Sequence, residues 1–174
     1  AGNTEGWNKF MATTTQNIKS NADHWFAHLT SNPWHVAQDK TVQVGKVLAR
    51  FLETQQHSKC FADRKVILIG HSLGGAIVFQ TLLQAQQEHL VDHAICLAGA
   101  FVPSVENIHN SLRSVRGNLI NVYNKNDQVL QMGFGASNLN FTGSRPAGNI
   151  PILITHNIAD EEARRKILDL DMTQ

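Results

Sequence analysis

Three residues in this chain have the types and order needed for acyl-transfer chemistry: Ser72, Asp127 and His156. Ser72 sits in Gly70-His71-Ser72-Leu73-Gly74, a G-x-S-x-G motif followed by a second glycine, Gly75. A serine hydroxyl is a weak nucleophile near neutral pH. It needs a base, and the base needs an acid to orient it. The flanks make the motif informative. Val66-Ile67-Leu68-Ile69 reads as a strand, and Ala76-Ile77-Val78-Phe79 continues as a helix. That is the strand–turn–helix context of a nucleophile elbow. So tight a turn strains the serine backbone, and only small residues are expected to fit at Gly70, Gly74 and Gly75. Ser72 then projects at a helix N-terminus, whose positive end favours a developing anion. The backbone N–H of Leu73 is the expected oxyanion donor. The bland alternative is a structural serine in an ordinary strand-to-helix turn.

Where this elbow occurs, the chain order is nucleophile, then acid, then histidine. A strand-like run, Leu119–Tyr123, leads into Asn124-Lys125-Asn126-Asp127. A further apolar run, Pro151–Thr155, leads into His156. Both residues are thus expected just beyond the carboxyl ends of strands, where active groups of open α/β sheets collect. The alternatives are a turn aspartate and a helix-flanking histidine near Asp160. Other acids are worse placed: Asp92 precedes a strand, and Asp160 and Glu161 follow the histidine. His71 reads as a local packing or hydrogen-bonding residue and not the triad base, because the elbow points it away from Ser72. His24/His28 and His89/His93 are spaced i,i+4, as helical metal pairs can be. Neither pair has a third ligand, so no metal and no cofactor is expected. Cys60 and Cys96 read as buried free thiols, since neither has a Cys-x-x-Cys partner.

The elements that must position these groups follow from periodicity. Thr15–Leu29 is expected to be a helix with Ile18, Ala22, Trp25, Phe26 and Leu29 near one face, broken by Ser31-Asn32-Pro33. Residues 34–56 form a second helix, with Val44, Val47, Leu48, Phe51 and Leu52 at helical spacing. Lys65–Gly70 reads as a strand, Leu73–His89 as a helix, and Ala94–Ala98 as the next strand. Ser104–Val115 reads as a weaker helix, and Leu119–Tyr123 as the third strand. Pro151–Thr155 is expected as the fourth strand and Asp160–Leu170 as a closing helix capped by Asp160. Its Arg164-Arg165-Lys166 run reads as a solvated face near the helix C-terminus. Alternating strands and helices imply βαβ units, hence a parallel sheet with helices on both faces. Between the third and fourth strands, Gln131–Asn149 is rich in Gly, Ser and Asn. A stretch that long without structure is often functional. Met132–Asn149, with Phe134, Leu139 and Phe141, is a candidate lid or acyl-chain contact.

Composition bounds the possibilities. The chain has 174 residues, 42% hydrophobic and 17% charged, with 15 Lys plus Arg against 14 Asp plus Glu. A net charge of +1 argues against a broad nucleic-acid-binding surface. No apolar run approaches the roughly 18–20 residues that span a bilayer. The length suits one domain, with residues 1–32 as a helical N-terminal segment and 33–174 as the core.

At Gly70–Gly75 the sequence resembles the lipase form of the α/β-hydrolase elbow. The likeness extends to Asn32-Pro33-Trp34-His35-Val36-Ala37-Gln38-Asp39, Gly45-Lys46-Val47-Leu48, Asn121-Val122-Tyr123-Asn124-Lys125-Asn126-Asp127-Gln128-Val129-Leu130 and the late His156. In that order these segments resemble the α/β hydrolases similar to transmembrane and coiled-coil domain-containing protein 4. The resemblance covers roughly residues 32–170 and adds to the periodicity argument. It implies Ser72, Asp127 and His156 as a triad acting on lipid-like or other carboxylic esters, as a lipase, phospholipase or esterase. A thioesterase or acyltransferase would use the same triad, and a non-catalytic module on this scaffold is the alternative class. Two departures stand out: His71 replaces the family's aromatic residue before the nucleophile, and Gly74-Gly75 replaces Gly-Ala after it. The transmembrane segments of the eukaryotic members are absent from these residues. Peripheral membrane contact and an unassigned compartment are the corresponding expectations.

The resemblance also implies strands ahead of the nucleophile strand, and a loop among them that gives a second oxyanion donor. Residues 1–64 offer helices but no convincing strand. Losing one such donor costs about 2.7–4 kcal/mol of transition-state stabilisation, and an uncovered edge strand invites pairing. Three arrangements follow: the C-terminal part of a hydrolase whose other strands come from a complementary chain, a minimal hydrolase with residues 1–30 over the edge, or two copies paired edge to edge. The first is preferred.

Overall fold

The computed structural model describes residues 33–56, 58, 61, 64–131 and 145–173. The expected helix Thr15–Leu29, His24, His28, Cys60 and most of the Met132–Asn149 loop lie outside them. In chain order the elements are α1 (Pro33–Gln55), β1 (Ile67–His71), α2 (Leu73–Gln84), β2 (His93–Leu97), α3 (Val105–Arg113) and β3 (Leu119–Tyr123). A 3-10 turn (Ala147–Asn149), α4 (Ile152–Thr155), α5 (Glu161–Lys166) and β4 (Ile167–Asp171) complete them.

The architecture is α/β, a parallel four-stranded sheet flanked by helices, in the order β1-β2-β3-β4. Register pairs Gly70 with Cys96, Cys96 with Asn121 and Asn121 with Asp169. Laterally paired residues share one sheet face. The face carrying Leu68, Ala94, Cys96, Leu119 and Ile167 packs on Phe79 and Leu82 of α2, Ile108 and Leu112 of α3, and Ala163 of α5. Phe79 also stacks on Phe101, with ring centroids 4.2 Å apart. α1 packs on α2 through buried Thr41, Ala49 and Leu52. Val36, Val44, Val47 and Phe51 of α1 stay exposed, as do Ile67 and Ile69 of β1 and Leu168 and Leu170 of β4, the two edge strands.

Helix ends follow local chemistry. Ser104 caps α3 by accepting the Asn107 N–H through Oγ at 3.1 Å. Asp160 caps α5 by accepting the Glu162 N–H at 2.9 Å, as expected from sequence. Arg164 and Arg165 are exposed, whereas the Lys166 Nζ donates to the carbonyls of Leu112 and Val115 near the end of α3. α2 ends at Gln84 rather than His89, where Ala85 turns extended.

Two expectations are overturned. Pro151–Thr155 is not the fourth strand; Ile152–Thr155 is one turn of helix. The closing helix does not run to Leu170; it stops at Lys166, and Ile167–Asp171 is the fourth strand, paired with β3. The two errors have one cause. A short apolar run has no period that separates strand from helix. The choice is made by Asp169, whose carboxylate accepts the N–H groups of Ile152 and Leu153, each at 2.9 Å. Those are free donors at a helix start, and only pairing of β4 with β3 brings the carboxylate to them.

Candidate functional site

Because the sheet is parallel, the segments after β1, β2 and β3 emerge along one edge of the layer, the carboxyl ends of its strands. Ser72 follows β1 directly, with φ 54 and ψ −118. Such a backbone is costly for a residue with a Cβ, and persists where surrounding contacts over-determine it. Here the contacts are specific. The Ser72 N–H donates to the Leu97 carbonyl at 2.9 Å, and the Ser72 carbonyl accepts the N–H groups of Ala100 and Ala76 at 3.0 and 3.2 Å. Ala98, just past β2, is also left-handed, with φ 46. Both strained residues thus lie at the same sheet edge.

The glycines of the motif differ in role. A Cβ on Gly70 would meet the Gly74 carbonyl oxygen at 2.2 Å, so strand and helix can cross only over glycine. Gly75 is tight, at 3.1 Å from the Gly99 Cα. Gly74, expected to need a small residue, has open space around it. Leu73 is the first residue of α2, so its N–H has no intrahelical acceptor. His71 is exposed at the end of β1.

Asp127 follows β3 at the same edge. One carboxylate oxygen, Oδ1, accepts the Leu130 N–H at 3.0 Å, capping a helical turn over 128–131. The loop is anchored on both sides. Lys125 Nζ pairs with Asp171 at 2.9 Å, and the buried Asn149 Nδ2 donates to the carbonyls of Asn124 and Asp127 at 3.0 and 3.2 Å.

His156 is placed otherwise. It caps the carboxyl end of α4, whose amino end is tied to Asp169, the middle residue of β4. Burial pushes its imidazole below the usual histidine range, and the Asp169 carboxylate offsets part of that shift. Nε2 is buried without a hydrogen-bond partner. Among the described residues, no hydrogen bond or ion pair joins Ser72, Asp127 and His156 to one another. Asp169 and Asn149 are the structural residues that sequence reading missed. The alternation in Ile167-Leu168-Asp169-Leu170-Asp171 was a signal for the first; nothing local marked the second.

Cys96 is a buried free thiol, as expected, and burial pushes it up to about 12. His93 Nδ1 accepts the Asn118 N–H at 3.1 Å. No group of three or more metal-binding side chains occurs among the described residues. No helix among them is long and apolar enough to cross a membrane.

Fold and edge together define an α/β-hydrolase-like architecture. The chain belongs to the family described as Protein of unknown function (DUF726), which matches residues 24–163. It is similar to an uncharacterized membrane protein of Caenorhabditis elegans, 30% identical over 70% of this chain and 19% of that protein. It is similar to the transmembrane and coiled-coil domain-containing protein STS1 of Oryza sativa subsp. japonica, 33% identical over 60% of this chain and 16% of that protein. A probable lipase of Saccharomyces cerevisiae, MIL1, is 25% identical over 63% of this chain and 10% of its own length. The chain therefore spans less than a fifth of the length of these curated relatives. No solved structure matches it significantly.

Proposed function

We propose that this chain carries the nucleophile of a serine ester hydrolase acting on lipid-like or other carboxylic esters. The observation that carries the reading is the backbone of Ser72, φ 54 and ψ −118, between the parallel edge strand β1 and the helix α2. Strain of this kind collects at active sites, and here it aims a hydroxyl at the positive end of α2. Similarity to a probable lipase supports the choice of substrate class.

In this reading the Ser72 Oγ attacks the ester carbonyl and the base takes its proton. The Leu73 N–H donates to the oxyanion. The alkoxide leaves with the proton from the base, and water then releases the acyl group from Ser72. Asp127 is the acid that orients the base, supported by its place beyond β3 at the same edge as Ser72. His156 is the base. Its support is its position after Asp127 in the chain and an unpartnered Nε2. To act, it has to come within hydrogen-bond reach of the Ser72 Oγ. A thioesterase or acyltransferase would use the same steps on another acyl donor or acceptor.

The same reading includes a complementary polypeptide that adds strands beside β1, with edge pairing of two copies as the alternative. Among the described residues β1 pairs only with β2. Exposed Val44, Val47 and Phe51 of α1, which packs on α2, form an apolar stripe of the kind that marks an interaction surface. Light scattering of the chain, purified alone and as isolated from its native source, reads which of these forms.

The deciding experiment is labelling by a fluorophosphonate, followed by intact mass. The expected result is one adduct that Ser72→Ala abolishes and that Asp127→Ala and His156→Ala slow. No Ser72-dependent adduct, in the chain or its complex, would overturn the reading. A wild-type rate in His156→Ala would move the base to another residue. The second reading is a non-catalytic interaction module, favoured by the lack of any bond joining the three candidate residues. It predicts no adduct and intact partner binding in Ser72→Ala.

A further inference from the structure

We propose that Asn149 is the positioning residue for Asp127, and that the 147–149 turn couples the acid loop to the Ser72 turn. This rests on the reading of Ser72 and Asp127 as nucleophile and acid.

The loop that carries Asp127 has to be held in one conformation. Asp127 follows four residues after the end of β3, in a segment rich in polar side chains, Asn124-Lys125-Asn126-Asp127. A loop of this composition has several turn conformations open to it. A base-orienting carboxylate needs one. The amide of Asn149 spans the loop: its Nδ2 donates to the carbonyls of both Asn124 and Asp127. Asn149 is 1% exposed, so solvent does not compete for these two donors. The side chain therefore fixes the distance between the first and last residues of the turn.

The same segment reaches the nucleophile by continuous hydrogen bonds. The Asn124 N–H donates to the Gly148 carbonyl at 2.9 Å, and the Gly148 N–H donates to the Gly99 carbonyl at 3.0 Å. One residue on, the Ala100 N–H donates to the Ser72 carbonyl at 3.0 Å. The turns after β1, β2 and β3 are thereby stitched to one another through residues 148 and 149. Nothing in a simple βαβ fold requires this, since each strand is already paired by its own ladder. The remaining acceptor of Asn149, Oδ1, is buried with no hydrogen-bond partner. A buried amide left half-satisfied costs stability. The amide is kept for its two donors, which an apolar side chain could not supply to the Asn124 and Asp127 carbonyls.

The test is a double-mutant cycle. Labelling of Ser72 by a fluorophosphonate is measured in wild type, Asn149→Ala, Asp127→Ala and the double variant. Steady-state hydrolysis of p-nitrophenyl butyrate is measured in parallel. Misplacing a catalytic group by about 1 Å costs about 100-fold, so Asn149→Ala should slow labelling by about 10- to 100-fold. The loss should fall in kcat with KM little changed. In the Asp127→Ala background it should have no further effect. Amide hydrogen exchange gives a readout independent of activity. Asn149→Ala should expose the Leu130 and Gln131 N–H groups, which bond to Asp127, and leave β2 protected. A folded Asn149→Ala with wild-type labelling, or losses that multiply with those of Asp127→Ala, would overturn the proposal while Asp127→Ala still slows labelling. If Asp127→Ala itself has no effect, or nothing labels Ser72, the reading of the site has failed and this role falls with it.

Discussion

Asp169 Oδ1 accepts the Ile152 N–H at 2.9 Å, a contact that helps tie a short helix to the middle of the last strand. The same carboxylate also holds the Leu153 N–H and the Asn121 Nδ2, each at 2.9 Å. Asp169→Ala removes the acceptor of the Ile152 and Leu153 N–H groups, while Asn121 Nδ2 keeps the Ile150 carbonyl at 2.9 Å; each charged hydrogen bond lost costs about 1.5–3 kcal/mol. The expected result in urea unfolding is a lower midpoint with an unchanged slope. Unaltered stability would mean that α4 is held by its packing alone.

The His156 imidazole sits below its usual range because burial disfavours its charged form. In the acid range the unfolded chain then binds the extra proton more readily than the folded chain. Stability therefore rises with pH across that window. The contribution is complete above about pH 6.5, the ordinary histidine value, and declines as the pH falls through it. His156→Gln should flatten this part of the stability profile, measured by thermal unfolding between mildly acidic and neutral buffers. An unchanged slope would assign the acid sensitivity to other groups.

Gly70 and Gly74 stand four residues apart and should respond oppositely to alanine. At Gly70 the new Cβ would lie 2.2 Å from a carbonyl oxygen of the backbone. Neither strand nor helix can yield there without losing its pairing, so Gly70→Ala should abolish soluble expression or lower Tm sharply. At Gly74 the Cβ meets nothing within 4 Å. Gly74→Ala should add about 0.8–1 kcal/mol from helix propensity. Calorimetry of the pair reads both signs.

Cys96 should be inert while the chain is folded. It is 1% exposed, and burial pushes its thiol up to about 12, so almost no thiolate is present near neutral pH. Iodoacetamide should modify it slowly in buffer and rapidly in urea, with peptide mapping to separate it from Cys60. Fast labelling under native conditions would mean that β2 opens locally.

Stacking of Phe79 on Phe101 joins α2 to the segment after β2. Phe79 is 2% exposed, and deleting a buried phenylalanine costs about 3–5 kcal/mol. Phe79→Ala should lose that much in urea unfolding, and Phe79→Leu much less. Equal losses would point to ring stacking rather than volume as the dominant contribution.

Much of the architecture follows from sequence alone. Gly70-His71-Ser72-Leu73-Gly74, flanked by a β-branched run and a helical period, specifies a strand–turn–helix junction. Leu119–Tyr123 and Ala94–Ala98 announce buried strands through apolar content, and the spacing of Val44, Val47, Leu48, Phe51 and Leu52 announces α1. These are local properties, set by the steric needs of glycine and by side-chain period, and they place Ser72 and Asp127 at one edge of a parallel sheet. The region after residue 145 was decided elsewhere. Pro151-Ile152-Leu153-Ile154-Thr155 is too short for its pattern to choose between strand and helix, and Ile167–Asp171 follows a helix without a breaker. Pairing of β4 with β3 settles both, because it delivers the Asp169 carboxylate to the free N–H groups of Ile152 and Leu153. The tertiary structure alone likewise brings the Asp169 carboxylate within electrostatic range of His156 and Asn149 across the Asp127 loop, since both relationships join groups distant in the chain.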